Sequence, residues 1–237
     1  MQEQIPQQEP QAKPRRGIRS FVCRSGRMTD GQAQAYQRLW PIYGILPQAE
    51  LLDFGRLYGN AQPAVLEIGF GMGQSLANMA MTHPDLNYLG VEVHKPGVGS
   101  LLAEIAAHEL TNIRVVHGDA VALLEKYIPN ESLAGVQIFF PDPWHKTRHH
   151  KRRLIQAEFI QLLHQKLHPG GFIHLATDWR DYAVHMQRVF AANNGFVNQG
   201  GEDGFMPNRL DRPATKFERR GELLGHGVWD LYYKKID

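Results

Sequence analysis

The stretch Ala64-Val65-Leu66-Glu67-Ile68-Gly69-Phe70-Gly71-Met72-Gly73 decides how the rest of the chain is read. A short apolar strand runs into three glycines spaced GxGxG, and a helical pattern follows from about Gln74 to Thr82. Strand, glycine turn and helix in that order open a doubly wound α/β sheet. The glycines let the backbone come close to a ligand, and a helix N-terminus lies just beyond. Taken alone, the loop also reads as a structural turn.

Outward from this stretch, strand and helix alternate five times. Tyr88-Leu89-Gly90-Val91 is a second strand, ending at Glu92, 25 residues after Glu67. An acid at that tip is where folds of this type hold a ribose diol. Lys95-Pro96 opens a helix to about Glu109, and Ile113 to His117 is a third strand followed by Gly118-Asp119-Ala120. Asp119 reads either as the N-cap of the next helix or as a ligand-binding acid at a strand's carboxyl end. Val136 to Phe140 is a fourth strand, and Leu154 to Leu167 a helix ended by His168-Pro169-Gly170-Gly171. Phe172 to Thr177 is a fifth strand with Asp178 at its tip, and Trp179 to Asn193 an amphipathic helix. Val228 to Lys234 alternates like a closing strand. Before the sheet, Thr29-Asp30 caps a short helix that Pro41 ends, and Pro47 to Tyr58 predicts another. The expected fold is α/β and Rossmann-like, a mostly parallel seven-stranded sheet with an antiparallel C-terminal end and helices on both faces.

The 237 residues suffice for one such domain, expected over 29–237, behind a flexible basic arm at 1–28 whose first 14 residues are rich in Gln and Pro. Net charge is only +2, but it is unevenly spread. Residues 11–28 hold six Lys/Arg and no acid, and residues 145–153 hold five Lys/Arg, three His and no acid. Elsewhere 15 basic residues face 24 acidic ones. Cations gathered into two places, rather than mixed with acids, suit a phosphate-binding surface. The single cysteine, Cys23, excludes an internal disulfide framework. No apolar run approaches the roughly 20 residues that span a bilayer, and the first residues carry no signal-peptide core. The expected compartment is the cytoplasm, with no membrane partner.

The chemistry is concentrated in Gln137-Ile138-Phe139-Phe140-Pro141-Asp142-Pro143-Trp144-His145-Lys146, continuing to Lys151-Arg152-Arg153. The prolines stop the strand and leave Asp142 little backbone freedom. An acid, a large ring and a dense basic tail suit a site where a flat, polyanionic substrate such as RNA or DNA meets chemistry. Trp144 either stacks on a base or packs under the prolines. Five acids, Glu67, Glu92, Asp119, Asp142 and Asp178, fall at or near the ends of the five strands, which share one crevice in an open α/β sheet.

Glu67 to Gly73, with Glu92 and Asp119 behind it, resembles the S-adenosylmethionine site of class I methyltransferases. A cationic sulfonium, an ammonium, a ribose diol and an adenine amine suit carboxylates better than a phosphate cradle would. Phe140 to Lys146 with Lys151-Arg152-Arg153, then Thr177-Asp178, then Thr215-Lys216-Phe217-Glu218, resembles the bacterial tRNA (guanine-N7-)-methyltransferase family from about Arg16 onward. The resemblance implies S-adenosyl-L-methionine as cofactor, tRNA as partner, and 7-methylguanosine in the variable loop as product. It implies a donor site of Glu67, Gly69, Gly71, Gly73, Glu92, Asp119, Ala120 and Asp142, with Asp142 catalytic. It further implies substrate contacts at Lys146, Asp178, Thr215, Lys216, Phe217 and Glu218, and RNA contacts at Arg148, His149, His150, Lys151, Arg152 and Arg153.

Rival readings remain open at this point. An exocyclic-amine methyltransferase uses a similar Asn/Asp-Pro-Pro-aromatic run after its fourth strand. A non-catalytic RNA binder would have no need of the acidic series. A metal site at His145, His149 and His150 has i, i+4 spacing for one pair but no Cys cluster or H-E-x-x-H pattern, so no metal is expected. A nicotinamide dehydrogenase would require GxGxxG. The sequence leaves monomer and homodimer undecided.

Overall fold

The computed structural model describes Ser20 and residues 26–46, 50–214, 218 and 227–236. Apart from Ser20 and residues 26–28, the expected basic arm lies outside the described residues, as do Thr215, Lys216 and Phe217.

Helix α1 (Asp30–Tyr43) starts where Thr29 and Gln32 form a capping box. Contrary to expectation, Pro41 does not end it. The proline forfeits one backbone bond only two residues from the helix end, while Leu39 is buried and Tyr36 stacks on Trp40 to hold the last turn. A two-residue strand β1 (Gly44–Ile45) and the short helix α2 (Phe54–Tyr58) follow. The alternation is then β2 (Ala64–Ile68), α3 (Gln74–Thr82), β3 (Asn87–Glu92), α4 (Lys95–Ala107), β4 (Ile113–His117), α5 (Ala120–Lys126) and β5 (Leu133–Phe139). After a 3₁₀ turn (Thr147–Arg152) come α6 (Ala157–Lys166), β6 (Leu167–Thr177), α7 (Arg180–Ala191), β7 (Phe196–Asn198) and β8 (Trp229–Lys235).

The eight strands form one sheet in the order β1-β4-β3-β2-β5-β6-β8-β7, parallel except where β8 pairs with β6 and β7. The mostly parallel sheet with an antiparallel end is as expected, but among the described residues it has eight strands rather than seven. The short edge strands β1 and β7 have two and three residues, too few for a sequence period to register. Strand β6 also starts earlier than expected, at Leu167, running through Pro169-Gly170-Gly171 with a register shift against β5. Strands β2 and β3 are buried throughout, as parallel strands covered on both faces must be. One core layer packs residues of α5, α6 and α7 on the sheet, and the opposite layer packs residues of α1, α3 and α4.

Candidate active site

Strand order reverses between β2 and β5, and there the turns after both strands separate to leave a crevice. A cavity of about 520 Å³ opens over the strand ends, lined by Ile68, Gly69 and Gly71, by residues 91–94, 118–121 and 138–142, and by Ser20 and Leu154. Gly69 and Gly71 have φ of +74° and +59°, and nothing lies within 4 Å of where a Cβ would stand at either. Left-handed backbone favours glycine there, and the open space lets a ligand lie against the main chain.

Glu92 anchors the wall. Its Oε2 accepts from Gly71 N–H at 2.9 Å, and its Oε1 accepts from Val93 and His94 N–H at 2.7 and 2.8 Å. A carboxylate offers about four lone-pair sites, so capacity for a ligand hydroxyl remains. Asp119 combines its two expected roles. Its Oδ1 caps α5 by accepting from Val121 N–H at 2.9 Å, and the residue lines the cavity. Glu67 lies buried beneath the glycine turn rather than in the cavity lining. Burial, and after it the charge of Glu92, pushes its carboxyl up to about 8, so it is largely protonated at neutral pH. Its Oε2 and the Oε1 of its register partner Gln137 on β5 are buried without hydrogen-bond partners among the described residues.

Asp142 stands exposed at the cavity mouth. Beyond its flanking prolines, Phe140 (φ +53°) and Trp144 (φ +48°) take left-handed backbone on either side of it. Such conformations cost roughly 1–3 kcal/mol each and persist where the surroundings over-determine them. Here Phe140 N–H donates to Ala176 O at 2.8 Å, Trp144 Nε1–H to Ser20 O at 3.1 Å, and Arg153 Nε–H to Pro143 O at 2.9 Å.

The 3₁₀ turn carries the cations. Lys146, Arg148 and Lys151 are exposed. The Arg152 guanidinium lies 3.9 Å from the centroid of the Trp144 ring, and His149 stacks on the same indole at 5.8 Å. Partial desolvation and the charges of Arg148, Arg152, Lys146 and Lys151 hold the His149 imidazole below its ordinary pKa. Arg153 departs from the expected RNA surface. Its side chain is buried, donates to Asp181 and pairs with His150 at 3.1 Å, which ties the loop to α7. The Arg153 hydrogen bond outweighs desolvation and keeps the Asp181 carboxyl below the usual range.

A second charged cluster was not anticipated. Arg212, fully buried, donates to both oxygens of Glu218 at 2.7 and 2.8 Å and to both oxygens of Asp230 at 2.9 Å. Its guanidinium also lies over the rings of Phe139 and Phe140, at 5.6 and 5.2 Å. His174 Nε2 pairs with Asp230 Oδ1 at 2.9 Å. Burial alone would raise the Asp230 carboxyl, but hydrogen bonds from His174 and Arg212 outweigh it and lower the pKa.

Comparison with known proteins fits this geometry. A family model described as that of a methyltransferase matches residues 61–231. The chain is 53% identical over 222 residues to the tRNA (guanine-N(7)-)-methyltransferase of Hydrogenovibrio crunogenus, covering 94% of this chain and 92% of that protein. It is 54% identical over 222 residues to the enzyme of the same name from Vibrio parahaemolyticus, covering 93% of each. The chain belongs to the tRNA (guanine-N(7)-)-methyltransferase family.

More distant solved structures share the fold of this family member. The 16S rRNA methyltransferase KamB superposes with a TM-score of 0.56 at 17% identity, covering 79% of this chain and 95% of that one. TrmN from Thermus thermophilus gives 0.52 at 19% identity, covering 77% of this chain and 47% of that one.

For this member of the tRNA (guanine-N(7)-)-methyltransferase family, the cavity brings together Gly69, Gly71, Glu92, Asp119, Ala120 and Asp142 of the expected donor site. Gly73 faces elsewhere. It is the N-cap of α3, and a Cβ there would stand 2.6 Å from the Leu101 Cβ on α4, so it serves helix packing. Asp178 and Lys146 are exposed outside the cavity lining, whereas Glu218 is buried against Arg212. The three motif histidines point to different partners: His145 to Trp179, His149 to Trp144 and His150 to Arg153. The sequence reading passed over Arg212, Asp230 and His174. Their signal was an acid at 230 and a histidine at 174 inside strands that are otherwise largely apolar and aromatic.

Proposed function

We propose that this chain transfers a methyl group from S-adenosylmethionine to N7 of a guanine in the variable loop of tRNA. The observation that carries the reading is the exposed carboxylate of Asp142 at the mouth of an acid-walled cavity, at the switch point of the sheet. The relatives named above support the choice of acceptor. An activity on tRNA is at home in the cytoplasm.

The donor supplies an electrophilic methyl on a cationic sulfur. Glu92 has about one acceptor site left for a ribose hydroxyl, and Asp119 and Ala120 line the same cavity for the adenine end. The open backbone at Gly69 and Gly71 admits the donor's chain, and Glu67 adds a second layer of acid beneath. Guanine N7 carries an in-plane lone pair and no proton, so it would attack the methyl in line with the departing sulfur, and no general base is needed. The S–CH3 bond breaks with its electron pair kept by sulfur as a neutral thioether. Positive charge develops on the purine as the methyl moves. A carboxylate that accepts from the guanine's amine edge is better paired in the transition state than before it. Asp142 takes that role, and the exposed Asp178 assists. Lys146, Arg148, His149, His150, Lys151 and Arg152 hold the RNA backbone, which positions the substrate without reading its sequence. Glu218 is held by its fork to Arg212, and with Thr215, Lys216 and Phe217 it belongs to the substrate contacts that the resemblance implies.

The test is incubation with labelled donor and unmodified tRNA, with the labelled atom located by nucleoside mass spectrometry. Label at N7 of a guanine supports the reading. Label on an exocyclic amine would replace it with the rival enzyme, and absence of transfer despite donor and tRNA binding would leave a binding protein.

A further inference from the structure

An enzyme that aligns guanine N7 in line with a donor inside a protein cleft gains access by drawing the base out of its stack, and such sites commonly offset the lost stacking with an aromatic face. One tryptophan, Trp144, lies within the motif loop and another, Trp179, touches it through His145. Trp144 is already engaged, with Arg152 over its ring, His149 parallel to it and its N–H donated to Ser20. Trp179 is different. It is 40% exposed, at the tip of β6, directly after Asp178 and directly before α7. Its one ring contact among the described residues is His145, edge-to-face with centroids 4.2 Å apart and planes at 78°. An edge-to-face pair covers at most one face of each ring, so the indole keeps a face toward solvent. His145 belongs to the motif loop, three residues after Asp142, so the contact joins the tip of β6 to the loop that bears the proposed catalytic acid. Next to the pair in sequence, Lys146, Arg148 and Arg180 are exposed, as are the acids Asp142, Asp178 and Asp181.

We propose that Trp179, braced by His145, is the ring on which the target guanine stacks, with the adjacent Asp178 available to its amine edge. The inference rests on the reading of the chain as a tRNA guanine-N7 methyltransferase. It gives Trp179 a role in the chemistry as well as in binding. The methylated purine is cationic, and an electron-rich indole face attracts a cation more than it attracts the neutral base. The stack therefore tightens as the methyl arrives, so losing it lowers kcat as well as raising KM for tRNA.

The experiment compares the full-length wild type with Trp179→Leu and Trp179→Phe, using labelled donor and unmodified tRNA. Donor affinity is measured in parallel by calorimetry. Stacking losses at single bases predict that Trp179→Leu lowers kcat/KM for tRNA by about 5- to 150-fold, with both kcat and KM contributing. Trp179→Phe, which keeps a flat ring, recovers most of that loss. Donor affinity stays within about twofold in both, because the indole is outside the donor cavity. A Trp179→Leu enzyme within twofold of wild type on tRNA overturns the proposal. So does a Phe variant no better than Leu, or a loss shared equally with donor affinity. The atom labelled by the wild type judges the reaction itself, whereas the ratio of variant to wild type on the same RNA judges the stack, so the two failures are distinguishable.

Discussion

The two halves of the crevice satisfy their acids in different ways. On the β2–β4 side, Glu92 and Asp119 are held by backbone N–H groups from the turns they stand in or face: Gly71, Val93, His94 and Val121. On the β5–β8 side, acids are held by side chains, most of them 18 or more residues away in sequence, although Arg212 and Glu218 are only six apart. Arg153 reaches Asp181, His174 reaches Asp230, and Arg212 reaches both Asp230 and Glu218. A turn that supplies its own donors is assembled as soon as the local backbone forms. A cluster drawn from β6, β8 and the segment before β8 exists only when the whole C-terminal part has docked. The donor side is therefore the more self-sufficient half, and the acceptor side the more easily broken one.

The sharpest way to test this difference is to remove one charge from each half. Arg212→Met leaves Asp230 and Glu218 buried without their common cation, and should cost about 3–5 kcal/mol in chemical denaturation. Glu92→Gln keeps an amide oxygen for the backbone donors and should cost about 1 kcal/mol, in line with a single hydrogen bond. Equal losses would erase the distinction between the halves. The second effect concerns chemistry. Asp142→Asn should lower kcat on tRNA by about 10²–10³, in line with the loss of a single transition-state contact, while the exposed position of Asp142 leaves unfolding unchanged. Near wild-type turnover would remove Asp142 from the role assigned to it.

The same contrast explains what could be read without coordinates. On the donor side, strand alternation puts Glu92 and Asp119 at strand tips that share one crevice, and the family resemblance, not spacing alone, joins Gly69 and Gly71 to them; the cavity lining contains all four. Asp142 was legible because its prolines are its neighbours in sequence. Arg212 was not. It sits in a polar stretch, Arg209-Leu210-Asp211-Arg212-Pro213, that reads as loop, and both its partners lie further along the chain. Arg153 misled for a related reason. In a run of cations nothing local marks the member that turns inward, because what selects it is Asp181 on α7. Gly73 belongs to the same glycine series as Gly69 and Gly71, yet its environment is set by Leu101 on α4.

A smaller effect probes Glu67, the acid of the donor half that backbone donors do not satisfy. Its folded pKa, raised to about 8 chiefly by burial, lies above the value in an unfolded chain. The folded protein then keeps a proton that the unfolded chain has lost. Its contribution to stability is fully present below the unfolded pKa, near 4.5, and declines as pH rises toward about 8. The slope from this one group is roughly 1.4 kcal/mol per pH unit within that window. Glu67→Gln should flatten the profile between pH 5 and 8 by about that slope, as measured by denaturation at several pH values. An unchanged profile would mean that Glu67 is ionised in the folded state and that the layer beneath the glycine turn carries charge.

The smallest effect separates cations that share one run of sequence. Arg148 and Lys151 are exposed on the 3₁₀ turn, whereas Arg153 is buried against Asp181 and Pro143. Each cation that contacts a phosphate adds about one unit to the slope of log binding constant against log salt. Replacing Arg148 and Lys151 with Gln should therefore flatten that slope for tRNA by up to two units, with stability unchanged. Arg153→Leu should instead weaken the attachment of the motif loop to α7, because it leaves Asp181 and the Pro143 carbonyl without their donor. Its signature is a lower unfolding midpoint with an unchanged salt slope in the fraction that remains folded. If Arg153→Leu flattened the slope as much as the exposed pair does, the side chain would have to leave its buried site when RNA binds. The acceptor half would then be a surface that rearranges around its substrate.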